Sequence, residues 1–463
     1  MRIRKYDFDY ARRALLEKAI KGSVAGGVLA PLWPLIANGQ DTGKAYPDEL
    51  VSIEENTKGK VKVGDVITDA NVEHVKHLLD PINYDQIKNQ GRRVTIVAPT
   101  TDASKLFPQR YLEATLENQG RGAFDENGNV IDKVTGGPWV GGNPFPNPTT
   151  AEEATANLTV SWGRHDYEQY AVRDYDINPD GSPAYQYDFV WAELQTIART
   201  GPVKYFRDRK ELLRYNSVWF TTPAEQAGTS LLSIWYADQR KFPDLYGYLP
   251  QFRRVRQFPT NQRFEPLVPG ITLFLSDGWC AGDPMLTWGN YKVVEVKPHL
   301  GAMSGNWWGG RHENWEPSRH GGPKGETFMD TCMELVPEVL VVESEPTGYP
   351  RAPVGKKRIW VDVRSGVAIG YVTYDRRGEV WKQVEVSSCQ KIDGDAVVKD
   401  ARGYPEWSWN FVHIQDLQSR RMSALYQAKE IVGGYKTLWD GVDEDEYYEK
   451  YFTPSAIARL GAV

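Results

Sequence analysis

Cysteine is nearly absent from this chain: Cys280, Cys332 and Cys389 are the only three in 463 residues. An odd number without C-x-x-C spacing excludes a thiolate metal knot or a thioredoxin-type redox pair. In an oxidising compartment, one disulfide with a leftover thiol and three buried free thiols both remain open. A long apolar run is missing as well. The uncharged stretch 22–37 is broken by Gly26, Gly27, Pro31 and Pro34, too short and interrupted for a stable membrane span. Positive charge is not in excess, since the formal net charge is -6, and bulk electrostatics do not suggest a nucleic-acid partner.

The cheap signatures of catalysis are missing too. There is no G-x-S-x-G elbow, phosphate-binding loop or dinucleotide fingerprint. Ser388 and Lys391 match S-x-x-K without its companion motifs. His312, Glu313, Glu316 and His320 lack the H-E-x-x-H spacing of a zincin. His74 and His77 lie three apart with no second pair in view, and His413 beside Asp416 reads as a packed residue. Nothing here implies a metal or another cofactor, so no catalytic residue is assigned.

What is abundant is aromatic surface: 16 Trp, 25 Tyr and 15 Phe, with 29 Pro and 42 Gly to punctuate it. Aromatics suit strands, and the turns are many. The stretch 230–259 holds three short strands joined by tight turns, the second stopped by Pro250. From residue 168 onward about a dozen strand-like segments follow one another without helices between them. Hairpin chemistry separates them at Asn178-Pro179-Asp180-Gly181, Arg364-Ser365-Gly366 and Asp375-Arg376-Arg377-Gly378. The expected fold class is therefore mainly β with flanking helices, an antiparallel barrel or strongly curved sheet. Helices are expected at 66–79 with Asp69 as cap, at 106–118, and at 149–162 with Thr149 or Thr150 as cap.

The chain divides into an export signal at 1–37, a polar tether at 38–64 and a single domain at 65–463. Residues 1–21 are basic, and Arg12-Arg13 ahead of a mildly apolar run has a twin-arginine-like pattern. The alternative is an amphipathic N-terminal helix on a cytosolic protein. Residues 299–325 form the oddest segment, Gly-rich, aperiodic and carrying Trp307, Trp308 and Trp315. A segment of that length is expected to be a lid over the barrel mouth. Arg254 and Arg256 sit either on an edge strand that they blunt or at a basic rim of the mouth. Alternation places Trp219, Ile234, Tyr236, Ile359, Val361, Ile369 and Tyr371 among the residues expected to line an apolar cavity. A barrel filled by its own core would give the same alternation.

The order Trp235, Tyr236, Tyr248, Leu249, Pro250, Arg253, Arg254, Val255, Arg256 resembles the bacterial family named domain of unknown function 1329. The stretches 142–148 (GNPFPNP), 413–425 (HIQDLQSRRMSAL) and 452–461 (FTPSAIARLG) match it too, so the resemblance runs from about Asp69 to the end. Members of that family are often labelled outer-membrane lipoprotein-sorting proteins. The resemblance implies a fold like that of the carriers LolA and LolB, a half-open β-barrel lined with apolar side chains and plugged by helices. It also implies a periplasmic carrier for lipids or other hydrophobic molecules, and a partner among exporters of the resistance-nodulation-division type or at the outer membrane. A periplasmic enzyme using His and Glu of segment 299–325, or an adaptor to an exporter, is the alternative.

Overall fold

The computed structural model describes residues 48–259, 263–309 and 312–461. The export signal and the first part of the tether lie outside the described residues. From Asp48 onward the expected tether is instead docked: Asp48–Val51 and Ile53–Asn56 are one-turn helices, and Leu50, Ile53 and Val61 are buried. These few apolar side chains are what hold a segment that composition marks as polar.

Fifteen strands carry the description: β1 (Val94–Ile96), β2 (Tyr167–Ile177), β3 (Pro183–Gln195), β4 (Leu212–Thr222), β5 (Ser230–Tyr236), β6 (Asp244–Leu249), β7 (Arg254–Phe258), β8 (Gly289–Gly301), β9 (Met303–Gly309), β10 (Thr331–Glu345), β11 (Val354–Asp362), β12 (Val367–Asp375), β13 (Val380–Asp393), β14 (Trp407–Asp416) and β15 (Arg421–Ala428). They form one antiparallel run in the order β8-β10-β11-β12-β13-β14-β15-β2-β3-β4-β5-β6-β7. Two strands add to it in parallel, β1 on the start of β10 and β9 on β13. Among the described residues β7 and β8 do not pair, so the sheet stays open along these two edges. The fold is thus mainly β, a half-open antiparallel barrel with helices packed on it.

Both faces of the sheet are covered. The inner face gathers one apolar cluster from nearly every strand, including Tyr170, Phe189, Val218, Trp235, Leu340, Val361, Tyr371, Val384 and Ile414. Helices α2 (Gln109–Glu117) and α3 (Ala151–Val160) close part of it with Tyr111, Leu112, Ala154 and Leu158. Thr150 starts α3 by accepting from the Glu153 amide, and Glu153 completes a capping box. The outer face of β2 to β5 is covered by α4 (Glu444–Tyr451) and α5 (Pro454–Leu460), through Tyr448, Tyr451 and Ile457. The outer face of β10 to β13 meets α1 (Pro81–Asn89).

Helix α1 corrects the expected helix at 66–79. That stretch holds a two-residue strand, Val66–Ile67, and two 3-10 turns, while the α-helix begins where proline was expected to end one. Pro81 stands at the first helical position, where its missing N–H costs nothing, and Asp80 caps the helix by accepting from the amides of Ile82 (2.8 Å) and Asn83 (3.0 Å).

Segment 299–325 is likewise more ordered than a lid. His299 to Gly301 finish β8, and Met303–Gly309 is strand β9, pairing Met303 with Ser388 and Ser304 with Cys389. Gly305 lies so close to Thr100 that a Cβ there would come within 2.5 Å of it, which explains the glycine. The side chains of Trp307 and Trp308 lie outside the described residues.

Candidate functional site

The inner face is filled by a segment that the sequence hides. Residues 263–288 leave the edge of the sheet, cross its concave side and return to begin β8. They carry Val268, Ile271, Leu273, Cys280 and Ala281 into the inner cluster. The tip of this plug turns at Gly270, whose φ of +92° is in the region that favours glycine, with the Tyr185 ring packed against it. Polar ties then fix it strand by strand. Tyr187 donates its hydroxyl proton to the Pro269 carbonyl (2.5 Å), the Thr272 amide donates to Ser423 Oγ (2.9 Å), and Thr272 Oγ1 donates to the Ile414 carbonyl (3.0 Å).

The strongest tie is Asp277. Its carboxylate accepts from Lys382 Nζ, from the Tyr371 hydroxyl and from the Phe274 amide (2.7 Å). All three side chains are almost fully buried, and Lys382 also lies over the Phe274 ring at 3.4 Å. Beside it Lys357 Nζ reaches the Cys280 carbonyl (3.4 Å), and at the plug's root Arg263 pairs with Asp283 (2.5 Å). Burial pushes the Lys382 and Lys357 ammonium groups down, opposed by Asp277 for the first and Asp283 for the second. Trp279 and Cys280 sit in the left-handed region, with φ of 53° and 63°. Two successive non-glycine residues there are strained, and only Gly278 separates them from Asp277.

Under Trp279 the plug leaves a small apolar cavity of about 70 Å³, lined by Tyr170, Val172, Phe189, Trp191, Val386 and Leu425 with others. That is well below the roughly 300 Å³ at which ligand pockets begin. A second hollow of about 30 Å³ adjoins it, sharing Tyr170, Trp279, Val386 and Trp409 and reaching Arg164. Outside, a groove of about 590 Å³ runs along Phe242, Phe264, Tyr349, Arg351 and Pro353, at the root of the plug. Phe242 and Phe264 both meet Tyr349 edge-on, at 5.1 and 5.0 Å between ring centres.

The residues expected to line a cavity divide between the two faces. Ile359, Val361 and Tyr371 face inward and are buried against the inner cluster. Trp219, Ile234 and Tyr236 face outward toward α4 and α5, Trp219 stacking on Tyr451 at 4.8 Å, while Val218, Phe220 and Trp235 take the inner side. Ile369 also faces outward. A bulge opposes Trp360 to Gly370 and Val361 to Ala368, so Ile369 is the extra residue and the alternation shifts there. None of the seven lines the 70 Å³ cavity.

The expected lid and rim are also placed elsewhere. Trp315 is buried, stacks on Trp439 (6.4 Å) and donates to Asp393 (3.3 Å). Arg254 and Arg256 are exposed on the free edge strand β7, and Arg256 covers the Phe252 ring at 4.7 Å. His312 and Glu313 are exposed, whereas His320 is buried between the Arg93 amide (2.8 Å) and Asp330 (2.7 Å). These groups do not converge, and among the described residues no set of His, Cys, Asp or Glu has the arrangement of a metal site. No disulfide joins Cys280, Cys332 and Cys389.

Missed by sequence reasoning are the buried acids of β2. Asp174 and Asp176 follow Tyr170 and Val172 along the inward alternation. Ser423 donates to Asp176, and neither oxygen of Asp174 has a partner among the described residues. Burial lifts the Asp176 carboxyl to about 7 and, reinforced by Asp176, lifts Asp174 well above its ordinary value. A raised carboxyl keeps its proton in the fold after the unfolded chain has lost it. The stabilisation is therefore full below about pH 4 and drains as pH rises toward neutrality. The double variant D174N/D176N should accordingly show a flatter decline in melting temperature between pH 4 and 8 than wild type. Parallel curves for the two proteins would show that the acids do not titrate as described.

The family model described as "Protein of unknown function (DUF1329)" matches residues 66–458. Among solved structures, an outer membrane lipoprotein-sorting protein domain from Vibrio parahaemolyticus is 12% identical with a TM-score of 0.40, covering 67% of this chain and 97% of its own. A DUF1329 family protein from Desulfovibrio piger is 14% identical with a TM-score of 0.39, over 64% and 95%. A LolA superfamily protein from Nitrosomonas europaea is 15% identical with a TM-score of 0.34, over 64% and 97%. No curated protein matches the chain.

Proposed function

The chain belongs to the DUF1329 family, and from that premise we propose that it is a non-enzymatic periplasmic carrier for a lipid or another hydrophobic molecule. The observation that carries this reading is the plug. An apolar concave sheet is left open between β7 and β8, and a loop rather than a strand fills it. Connections of this length, here carrying only short 3-10 turns at Leu275–Cys280 and Met285–Thr287, tend to have a function. Cargo would meet the groove beside Phe264 first and displace residues 263–288 from their root at Arg263.

The energetics set what cargo would have to do. Lifting the plug exposes Val268, Ile271, Leu273 and the surfaces beneath them, so only a molecule that covers comparable apolar area can replace it. Each buried methylene contributes roughly 0.8 kcal/mol, which favours acyl chains over small polar solutes. Support for an envelope transport system as partner comes from the family resemblance, and support for a periplasmic location from that resemblance and the Arg12-Arg13 pattern.

The test is titration of delipidated protein with a fluorescent fatty acid. Saturable binding, lost when the plug is fixed by a disulfide between its tip and the adjoining strand, is the expected result. Absence of saturable binding in the unconstrained protein would overturn the carrier reading.

A further inference from the structure

Arg164 is an unusual residue to find inside a sheet. It is 4% exposed, sits in the left-handed region at φ 73°, and lies among the rings of Phe107 (5.0 Å), Tyr111 (5.0 Å) and Trp407 (5.6 Å). Its Nη2 donates to the Ser365 carbonyl (2.6 Å), while Nη1 has no partner among the described residues. A buried guanidinium without a carboxylate is costly, and it persists only where something offsets it.

The neighbouring acids are already committed. Asp362 accepts from Arg364 and from Ser365 Oγ, and Arg364 also pairs with Glu334 (2.9 Å). Further in, Arg214 is 3.8 Å from Glu193, which also accepts from Trp191 and Trp279. Glu168, beside Glu193, is held protonated by burial and by its neighbour's charge. Arg164 itself forms no ion pair among the described residues, and of the carboxylates it feels only the charge of Asp362, which Arg364 already holds.

The unpaired Nη1 of Arg164 stands at the end of the apolar cavity. Arg164 lines the 30 Å³ hollow, and Trp279 of the plug stands between this hollow and the 70 Å³ cavity, touching both. We propose that the cargo is a single-chain amphiphile with one small anionic head, a carboxylate, which pairs with Nη1 of Arg164 while its tail takes the place of the displaced plug along the inner face. The head is small because the hollow that Arg164 lines is the smaller of the two and is walled by Leu158, Trp407 and Trp409. This inference rests on the carrier reading above and adds the chemical class of the cargo.

The experiment uses a neutral probe, N-phenylnaphthylamine, bound to the delipidated full-length protein and displaced by palmitate, hexadecanol or hexadecylamine. Palmitate should displace it about 10- to 100-fold more effectively than hexadecanol, the range expected of a charge-assisted hydrogen bond. Hexadecylamine should be weakest. In R164M the ratio of palmitate to hexadecanol should collapse to near unity, and R164K, which keeps the charge without the fork, should fall between. Equal displacement by palmitate and hexadecanol in wild type would overturn the head-group assignment while leaving the carrier reading intact. No uptake of the probe at all would overturn both. Should R164M fail to fold, the wild-type ratio and R164K decide alone.

Discussion

Replacing Asp277 by Ala is expected to loosen the plug and lower stability by about 3–5 kcal/mol, because it leaves Lys382 as a buried charge with its partner removed. The loss should be uneven. Residues 263–288 are held by a few polar ties, so they should become accessible to chymotrypsin at Phe264, Leu273 or Phe274 before the sheet melts. Binding of an apolar probe should rise at the same time, since the 70 Å³ cavity opens. The pair D277N/K382M removes charge from both sides and should recover most of the stability. A D277A protein that resists chymotrypsin as wild type does would show that the plug is not latched here.

A second large effect is expected on the other side of the sheet, from Arg92→Ala. Arg92 is buried beneath α1 and donates to Asn83 (2.5 Å), Gln86 (2.6 Å), Thr331 (3.1 Å) and Glu385 (2.5 Å). Burial alone would raise the Glu385 carboxyl, but the Arg92 guanidinium, with His413 at 3.1 Å, holds it down at about 2. Without Arg92 that carboxylate is uncompensated at neutral pH, at a cost of about 3–5 kcal/mol. A carboxyl with a depressed value contributes stability above the unfolded range near 4.3 and loses it as pH falls toward the folded value. The deficit of R92A against wild type should thus be largest at neutral pH and narrow below pH 4, as read by paired thermal melts. A deficit independent of pH would assign the loss to α1 packing alone.

Why some of this was legible in sequence and some not follows from how far apart the partners lie. Strands β2, β3, β11 and β12 announce themselves through β-rich composition and through turns such as 178–181 and 364–366, all local signals. Which face a residue takes was harder. In β5 the run Leu231, Leu232, Ile234, Trp235, Tyr236 is apolar on both sides, because plug and helices cover both, so alternation gives no parity. At Ile369 a bulge reverses a pattern that was otherwise regular. Pro81 carried opposite meanings, a stop for the preceding stretch and a start for α1, and only the Asp80 cap decides between them. The plug has no periodicity, and its anchors at Tyr187, Tyr371, Lys382 and Ser423 are scattered along the chain. No local pattern could have joined them, nor have placed Arg164 beside Trp279.

The pairing of β2 with β15, which sets Ala171 opposite Ala428 and Met422 opposite Ile177, has a consequence for how the molecule is made. Strands β2 to β7 form a meander of local hairpins that can assemble as they emerge. Yet β2 keeps a bare edge until nearly all the remaining strands have been synthesised. Non-local pairing of this kind is slow, since loop closure precedes any reward from contacts. Through that interval an unpaired, aromatic-rich strand is open to its counterparts on neighbouring nascent chains. The yield of folded protein should therefore be governed by the crowding of half-made chains more than by the stability of the finished sheet. Slower synthesis, or a chaperone that masks strand edges, should raise it.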